Sequence, residues 1–339
     1  MAPEITVLMP VHNVESYVRE SAESILSQSF TDVELLVVDD ASTDGTVRVL
    51  EQLGDPRVRI IRSCERLRFS GALNLGLEAV TGRFVARMDG DDIALPDRLE
   101  VQHKYLTDHP EVGLCGGLAE MFGTKQGVYF RPPLSHAEIQ SYVLFDTPFV
   151  HPSVMFRREA IERHHLRYDA TYCPTDDYEL WSRAVRLFPT ANLDRILLRY
   201  RVHAASLTQS EWADMDGHAA RVAARELAAL GLPADAEALR FHRNVGRGRC
   251  FTLKRREELT RAEVWLKTLI EANMTAGRYP DREFRRIVAG VWYSVCYHAG
   301  SLGPWAAIQY ARSRLRRPSS ANVREWAALL AVTARRIAA

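Results

Sequence analysis

The sequence has few cysteines, and their spacing does not suit a disulfide framework or a metal site. It contains five, at Cys64, Cys115, Cys173, Cys250 and Cys296. They are odd in number and far apart, and no CxxC pair occurs. A disulfide-stapled fold and a structural zinc are therefore not expected.

The sequence also lacks a long apolar run and the basic-then-apolar start of a signal peptide. The longest stretch without Lys, Arg, Asp or Glu runs from 287 to 311 and contains His298, Gly300 and Gly303. Two helices broken at 301–304 fit this stretch better than a membrane span. We therefore expect a cytoplasmic protein.

No glycine-rich loop follows the first predicted strand, where the sequence reads Pro10-Val11-His12-Asn13. An NAD-linked dehydrogenase would show G-x-G-x-x-G at this point. A nucleotidyltransferase would also be expected to have a glycine-rich phosphate loop here. The sequence argues against both classes.

The composition is that of a globular protein whose charge is unevenly distributed. The chain has 339 residues, 47% apolar and 26% charged, which excludes wholesale disorder and suggests two domains. Residues 1–240 carry a net charge of −11, whereas residues 241–339 carry +12. This division suggests a metal or polar-substrate site in the first part and an anionic surface or partner for the second.

Apolar periodicity predicts strands that alternate with helices in the first part. The strands are predicted at 5–9, 35–38, 58–61 and 84–86, and the helices begin near Ser16, Thr46, Ala72 and Pro96. Such alternation indicates a parallel sheet, in which ligands bind beyond the carboxyl ends of the strands. Beyond about 206 only helical periodicity remains, so we place a boundary near 206–212.

Two predicted strands run directly into acidic turns. The second ends at Asp39-Asp40, and the fourth is followed by Asp89-Gly90-Asp91-Asp92. Two acidic clusters at one sheet edge repel each other unless a cation lies between them, and hard oxygen ligands suit Mg²⁺ or Mn²⁺. Taken singly, each cluster is also compatible with a solvated turn.

A third acidic cluster, Asp176-Asp177, opens a helix within residues 175–181. Acids at a helix N-terminus are favoured by the helix dipole, which is one interpretation of this pair. The other is a general base that takes a proton from a hydroxyl nucleophile.

Taken together, these segments resemble glycosyltransferase family two, which has the GT-A fold. The resemblance covers roughly residues 4–205 and rests on segments 7–13, 24–30, 39–46, 72–76, 89–92 with 96–99, 151–153, 176–181 and 200–203. It implies an α/β fold of the GT-A type, with a Rossmann-like, mostly parallel central sheet flanked by helices. We expect this domain over 1–208 (nucleotide-sugar half about 1–100, acceptor half about 101–208) and an all-helical C-terminal domain over 209–339.

The resemblance implies an inverting transfer of a sugar from a nucleotide diphosphate sugar, with a UDP-sugar as the expected donor. The acceptor would be a hydroxyl of a glycan or a lipid-linked molecule in cell-surface polysaccharide synthesis. Mn²⁺ or Mg²⁺ is the implied cofactor, and no nucleic acid partner is expected. The sequence does not decide whether the protein forms a homo-oligomer.

The resemblance also assigns roles to individual residues of this chain. The nucleotide sugar is expected to contact Pro10, Val11, Asn13, Asp39, Asp40, Arg68, Asn74, Asp89 and Gly90. Asp91 is expected to ligate the metal, with Asp89 and His203 as further candidates. Asp177 matches the catalytic base, and Asp176, His203, Arg201 and His151 are secondary candidates. The family has Glu-Asp where this chain has Asp176-Asp177, which leaves open which carboxylate faces the acceptor.

Two alternatives stand beside this interpretation. The protein could be a non-catalytic nucleotide-sugar-binding or regulatory subunit, although the intact Asp40, Asp89, Asp91 and Asp177 argue against a decayed site. The basic C-terminal helices, with aromatic residues between the arginines, suit a peripheral contact with the inner face of the cell membrane. A packed bundle with a solvated basic face, or a dimer interface, explains the same pattern.

Overall fold

The computed structural model describes residues 2–203, 212–247, 255–302 and 304–316. The chain divides into two compact units. The first comprises Met1–Ile139 and Thr147–Ala219, and the second comprises Gln140–Asp146 and Ala220–Ala339. The expected boundary between residues 208 and 209 lies in 204–211, outside the described residues, so the domain limits stay a prediction.

The strands of the described residues all belong to one sheet in the first unit. They are β1 Ile5–Val11, β2 Val33–Asp39, β3 Val58–Arg62, β4 Phe84–Arg87, β5 Ile93–Ala94, β6 Leu114–Gly123, β7 Gly127–Phe130, β8 Met155–Arg157 and β9 Thr190–Val202.

The helices of the described residues are numbered in chain order. They are α1 Val18–Leu26, α2 Thr46–Glu51, α3 Arg68–Ala79, α4 Arg98–Asp108, α5 His136–Tyr142, α6 Arg158–Arg163, α7 Asp176–Ala184, α8 Trp212–Ala229, α9 Ala236–Arg247, α10 Arg256–Ala276, α11 Asp281–His298 and α12 Pro304–Arg312. Short 3₁₀ helices lie at His151–Ser153, Ala170–Tyr172 and Ala299–Leu302.

The sheet is parallel in its first half and mixed in its second. Its strand order is β3-β2-β1-β4-β8-β6-β9-β5, and β7 pairs with β6. Strands β3, β2, β1 and β4 are parallel, β8 is antiparallel to both neighbours, and β6 and β9 are parallel. The α/β architecture expected from the sequence is confirmed. The parallel strands bring the carboxyl ends of β1, β2 and β4 to one edge.

Apolar side chains on both faces explain why the first strands are nearly continuous hydrophobic runs. On one face Ile5, Val7 and Met9 pack into a core that includes Val18 and Ile25 of α1. On the other face α3 packs very closely. A Cβ on Gly76 would lie 2.2 Å from Leu8 Cδ1, so only glycine allows this approach.

The sequence located these elements well but missed some of their first residues. The helix predicted to begin near Ser16 is α1, which begins at Val18 and has no side-chain cap. Helix α3 begins at Arg68, one turn before the expected Ala72, and α4 begins at Arg98, two residues after Pro96. An apolar period locates the packed face of a helix but does not define its first residue, so the predicted starts err in both directions.

The described part of the second unit contains helices and no strand, as the sequence predicts. Its core includes the fully buried Leu266, Phe284, Trp292 and Tyr310. The expected break is confirmed, since α11 ends at His298 and α12 begins at Pro304. No helix within the described ranges is long and apolar enough to cross a bilayer. Within the helical domain expected over 209–339, residues 209–211, 248–254, 303 and 317–339 lie outside the described residues.

Candidate functional site

The carboxyl ends of β1 and β2 form the first part of the site. Val11 is in register with Asp39, and the Asp40 N–H donates to the Val11 carbonyl at 2.9 Å. Pro10 and Val11 are buried here, as are both aspartates. Four of the residues expected to contact the nucleotide sugar therefore lie side by side.

The two aspartates at this edge differ in their partners. The Asp40 carboxylate accepts the Leu67 N–H at 2.6 Å and pairs with Arg66 Nε at 3.2 Å. Asp39 accepts the Ser42 N–H at 3.4 Å through Oδ2, while its buried Oδ1 has no partner among the described residues. A buried, unsatisfied acceptor at a strand end is a position where a ligand N–H or O–H would be favoured.

Asn13 organises the loop after β2. It adopts a left-handed backbone conformation with φ of 53°, and its Oδ1 accepts the Thr43 N–H at 2.8 Å. Its own N–H donates to Ser42 Oγ at 3.0 Å. The side chain of Asn13 therefore holds the loop that carries Asp40. Arg68, the other polar candidate near this edge, is exposed at the start of α3.

The acidic turn after β4 forms the second part of the site. One carboxylate oxygen from each of Asp89, Asp91 and Asp92 lies within 4.8 Å of the others. Gly90 makes this turn possible, because a Cβ there would lie 2.8 Å from Val11 Cγ1. The same contact places the acidic turn against the end of β1.

Each of these three acids has a different partner. Asp89 Oδ1 lies 2.6 Å from Arg87 Nη2, and Asp91 Oδ2 lies 2.9 Å from His203 Nε2. Asp92 Oδ1 accepts the Arg201 N–H at 2.8 Å, whereas its buried Oδ2 has no partner in the described part of the chain.

The end of β9 lies against the acidic turn and contributes Arg201 and His203 to the site. Arg201 Nε donates to the Asp91 carbonyl at 2.6 Å, and its Nη2 pairs with Glu20 of α1 at 2.5 Å. The His203 ring lies 4.8 Å from the Tyr17 ring. The structure thus brings Asp91 and His203, two of the metal candidates, together across 112 positions.

Burial changes the ionisation of this cluster. Desolvation raises the pKa of the Asp89 carboxyl, and the nearby Arg87 opposes that change. Desolvation raises the pKa of Asp92 further, and the negative charges of Asp89 and Asp91 add to the effect. The buried Arg98 lies close to these acids, and burial lowers its pKa to about 10, so it is still charged near neutral pH.

A divalent metal ion fits these residues. The group supplies hard carboxylate oxygens and an imidazole, one buried acceptor without a partner, and like charges that repel each other. Oxygen-rich sites of this kind suit Mg²⁺ and Mn²⁺.

The third part of the site lies at the N-terminus of α7. Asp176 is buried, and its Oδ2 accepts a hydrogen bond from Ser70 Oγ at 2.5 Å. Desolvation raises the pKa of Asp176. Asp177 is less buried, and its Oδ1 accepts the N–H of Tyr178 at 2.7 Å. Of the two acids, Asp177 is the more accessible to a substrate.

His151 lies in an aromatic environment beside this helix. Its Nε2 is 2.9 Å from Tyr168 Oη, and the Phe69 and Trp181 rings meet its ring edge-on. Desolvation and the positive charge of Arg87 hold the pKa of His151 well below its usual range. His151 is therefore a neutral imidazole near pH 7.

Asn74 forms two hydrogen bonds that fix Tyr168. Its Nδ2 donates to the Tyr168 carbonyl at 2.8 Å, and its Oδ1 accepts the Tyr168 N–H at 2.9 Å. In this structure Asn74 thus supports the aromatic wall around His151, and its amide is already hydrogen-bonded on both sides.

Several residues of the site were not identified from the sequence. They are Tyr17, Phe69, Ser70, Arg87 and Tyr168. A basic residue at the end of a buried strand, just before an acidic turn, is the one local signal that could have identified Arg87. The others become neighbours of the site only through the fold.

The fold is of the GT-A type and is shared with two solved glycosyltransferases. S. aureus TarS, solved with UDP-GlcNAc, has a similar fold over 98% of this chain and 91% of its own, with a TM-score of 0.57 and 15% identity. The mannosyltransferase PcManGT from Pyrobaculum calidifontis was solved with GDP-Man and Mn²⁺. Its fold matches over 99% of this chain and 88% of its own, with a TM-score of 0.54 and 19% identity.

Sequence relatives place the chain more narrowly. The family model for glycosyl transferase family 2 matches residues 6–165. The O-antigen biosynthesis glycosyltransferase WbnJ of Escherichia coli is 32% identical over 61% of this chain and 82% of its own length. The amylovoran biosynthesis glycosyltransferase AmsE of Erwinia amylovora is 33% identical over 58% of this chain and 75% of its own length. The chain belongs to glycosyltransferase family 2.

The likeness to curated proteins does not extend over their whole length. An uncharacterized glycosyltransferase of Haemophilus influenzae is 32% identical over 59% of this chain, and the match spans 66% of that protein.

Proposed function

We propose that the protein is an inverting glycosyltransferase that moves a sugar from a UDP-sugar to a hydroxyl of a glycan or lipid-linked acceptor. The observation that carries this proposal is the meeting of Asp89, Asp91 and His203 beside the ends of β1 and β2. The bound donors of the two structural neighbours support a nucleotide sugar, and TarS supports UDP. The names of WbnJ and AmsE support a role in cell-surface polysaccharide synthesis.

The donor would bind along the edge formed by β1, β2 and the acidic turn. Pro10 and Val11 would flank the base, and Asp40 would accept a hydrogen bond from it. A carboxylate has about four acceptor sites, so the contacts from Leu67 and Arg66 leave room on Asp40. The unpartnered Asp39 Oδ1 lies close by and offers a further acceptor.

The diphosphate would lie next to Asp91 and His203, which would hold Mn²⁺ or Mg²⁺. When bound, such a cation offsets the negative charge that develops on the departing diphosphate. Arg201 would keep this corner in place, since it joins the acidic turn to α1 through the Asp91 carbonyl and Glu20.

Asp177 would act as the general base. In a single displacement, the acceptor oxygen bonds to the anomeric carbon, the bond from that carbon to the diphosphate breaks, and the hydroxyl proton passes to Asp177. Positioned proton removal contributes about 10²–10⁴-fold to the rate of such steps. The buried contact of Asp176 with Ser70 supports an anchoring role for Asp176, and the neutral His151 would line the acceptor side.

A lipid-linked acceptor would place the enzyme at the inner face of the cell membrane. The basic residues of the second unit supply the charge for a peripheral contact with anionic lipid. This location is part of the proposal.

Ligand-induced stabilisation tests the proposal. We expect UDP with Mn²⁺ to raise the melting temperature, since a ligand that binds only the folded state stabilises it. UDP-sugars should then be hydrolysed slowly or transferred to an acceptor. Saturable UDP-sugar binding without any turnover would favour the regulatory-subunit alternative. A protein that binds no nucleoside diphosphate would contradict both.

A further inference from the structure

Arg87 is a buried cation at the centre of the site with an incomplete set of hydrogen bonds. It ends β4, is 1% exposed, and contacts Asp89 Oδ1 through Nη2 at 2.6 Å. Its guanidinium carbon lies 5.0 Å from the centre of the Phe69 ring. Within the described residues, its Nε and Nη1 have no hydrogen-bond partner.

The acids of the turn are therefore not interchangeable as metal ligands. Asp89 already has a permanent cation as its partner, because a guanidinium stays charged in proteins. A divalent ion bound to Asp89 would lie roughly 4–5 Å from that guanidinium, given metal–oxygen distances near 2 Å, and the two would repel each other. Asp91 instead pairs with an imidazole nitrogen, which is itself a metal ligand.

We propose that Arg87 is a positioning residue that holds Asp89 for the donor and confines the divalent cation to Asp91 and His203. This inference rests on the proposed function. Arg87 fixes the Asp89 carboxylate through one nitrogen, and its guanidinium carbon lies over the Phe69 ring. The buried Nε and Nη1, which have no partner among the described residues, leave uncompensated positive charge beside the acidic turn.

The test separates cation binding from donor binding. Mn²⁺ alone is titrated and its free fraction is measured by EPR, and UDP is then titrated by calorimetry at saturating Mn²⁺. In Arg87→Met we expect Mn²⁺ to bind about ten-fold more tightly, since a nearby positive charge has been removed. We expect UDP to bind at least about ten-fold more weakly, because Asp89 has lost its orientation. A merely structural role of Arg87 would weaken both.

Asp89→Asn provides a second measurement that does not depend on the stability of Arg87→Met. If Asp89 is reserved for the donor, its Mn²⁺ affinity stays within about three-fold of wild type while UDP affinity falls. The matched control is Arg59→Met, which removes a guanidinium paired with Glu34 away from the site and should change neither affinity.

Two results would overturn the inference. One is weaker or unchanged Mn²⁺ binding in Arg87→Met with an intact circular dichroism spectrum, and the other is loss of Mn²⁺ binding in Asp89→Asn. Failure of the proposed function has a different signature, since wild-type protein would then bind neither Mn²⁺ nor UDP.

Discussion

At the residue scale, the contacts of the acidic residues distinguish roles that their sequence alone does not. Asp89 faces a guanidinium, Asp91 an imidazole and Asp92 a backbone N–H. Asp176 is buried against Ser70, while Asp177 is more accessible.

The first prediction concerns Asp91. Asp91→Ala removes the carboxylate that pairs with His203, so Mn²⁺ should no longer enhance stabilisation by UDP. Transfer should fall by at least about 100-fold, since the leaving group loses its cation. Thermal unfolding with UDP, with and without Mn²⁺, checks this. Asp108→Ala, which changes an exposed acid on α4, should behave like wild type, and a normal Mn²⁺ response in Asp91→Ala would contradict the assignment.

The second prediction concerns the base. Asp177→Asn should keep donor binding but lower transfer by about 10²–10⁴-fold, because an amide cannot take the acceptor proton. Initial rates and UDP calorimetry measure the two effects separately. Asp176→Asn can still accept the Ser70 hydrogen bond and should retain transfer within about ten-fold. If Asp177→Asn loses donor binding as well, the base has been misassigned.

At the scale of secondary-structure elements, helices are joined by single polar side chains. The Ser70–Asp176 hydrogen bond connects α3 with α7 in the first unit. In the second unit the buried His242 of α9 is bound on both sides. Its Nδ1 accepts from Trp265 Nε1 of α10 at 3.1 Å, and its Nε2 donates to the Leu144 carbonyl at 2.8 Å. Only a neutral imidazole can accept a hydrogen bond at one nitrogen and donate at the other, so both contacts require the uncharged ring.

The third prediction is a loss of stability in acid through His242. Desolvation lowers its pKa to about 4, below the usual 6.5, so the unfolded chain takes up the proton first. Its contribution is fully present above pH 6.5 and is lost as the pH falls towards 4, by about 3 kcal/mol at pH 4. Urea unfolding at several pH values measures this.

Two histidine variants isolate this contribution. His242→Gln should remove the His242 share of the acid sensitivity, whereas His298→Gln on α11 should leave it in place. An unfolding free energy of His242→Gln that falls between pH 7 and pH 4 as steeply as wild type would contradict the prediction.

At the scale of the whole molecule, charge is divided between two parts of the sequence. Residues 1–240 are acidic, with a net charge of −11, and residues 241–339 are basic, with +12. The acidic part contains the proposed cation site, and the basic part suits an anionic surface.

The fourth prediction is salt-sensitive binding of the full chain to anionic vesicles. At low salt the protein should sediment with vesicles that contain phosphatidylserine and not with phosphatidylcholine alone. It should be released at about 0.5 M salt, where charge interactions are screened within a few ångströms. Reversal of Arg312, Arg314 and Arg316 to Glu should weaken binding, and reversal of Arg19, Arg48 and Arg62 should not. If the protein does not bind anionic vesicles at low salt, the proposed membrane contact is wrong.

Much of the fold and of the site was predictable because it depends on local sequence. The apolar pattern predicted the positions of β1 to β4. The order of strands and helices implied a parallel sheet whose ligands bind at the carboxyl ends of its strands. The acids at the end of β2 and in the turn after β4 were placed at that edge for the same reason. The antiparallel insertion of β8 was not predictable, because pairing between distant strands leaves no local period.

The sequence by itself thus determined where the elements lie and which residue types stand at their ends, since periodicity and turn chemistry act over a few residues. The tertiary structure decided the partners. It brings His203 into contact with Asp91 across 112 positions, and it places Asp176 against Ser70 and Asn74 against Tyr168. Such pairings depend on where distant strands and helices cross, and therefore on the packing of the whole sheet.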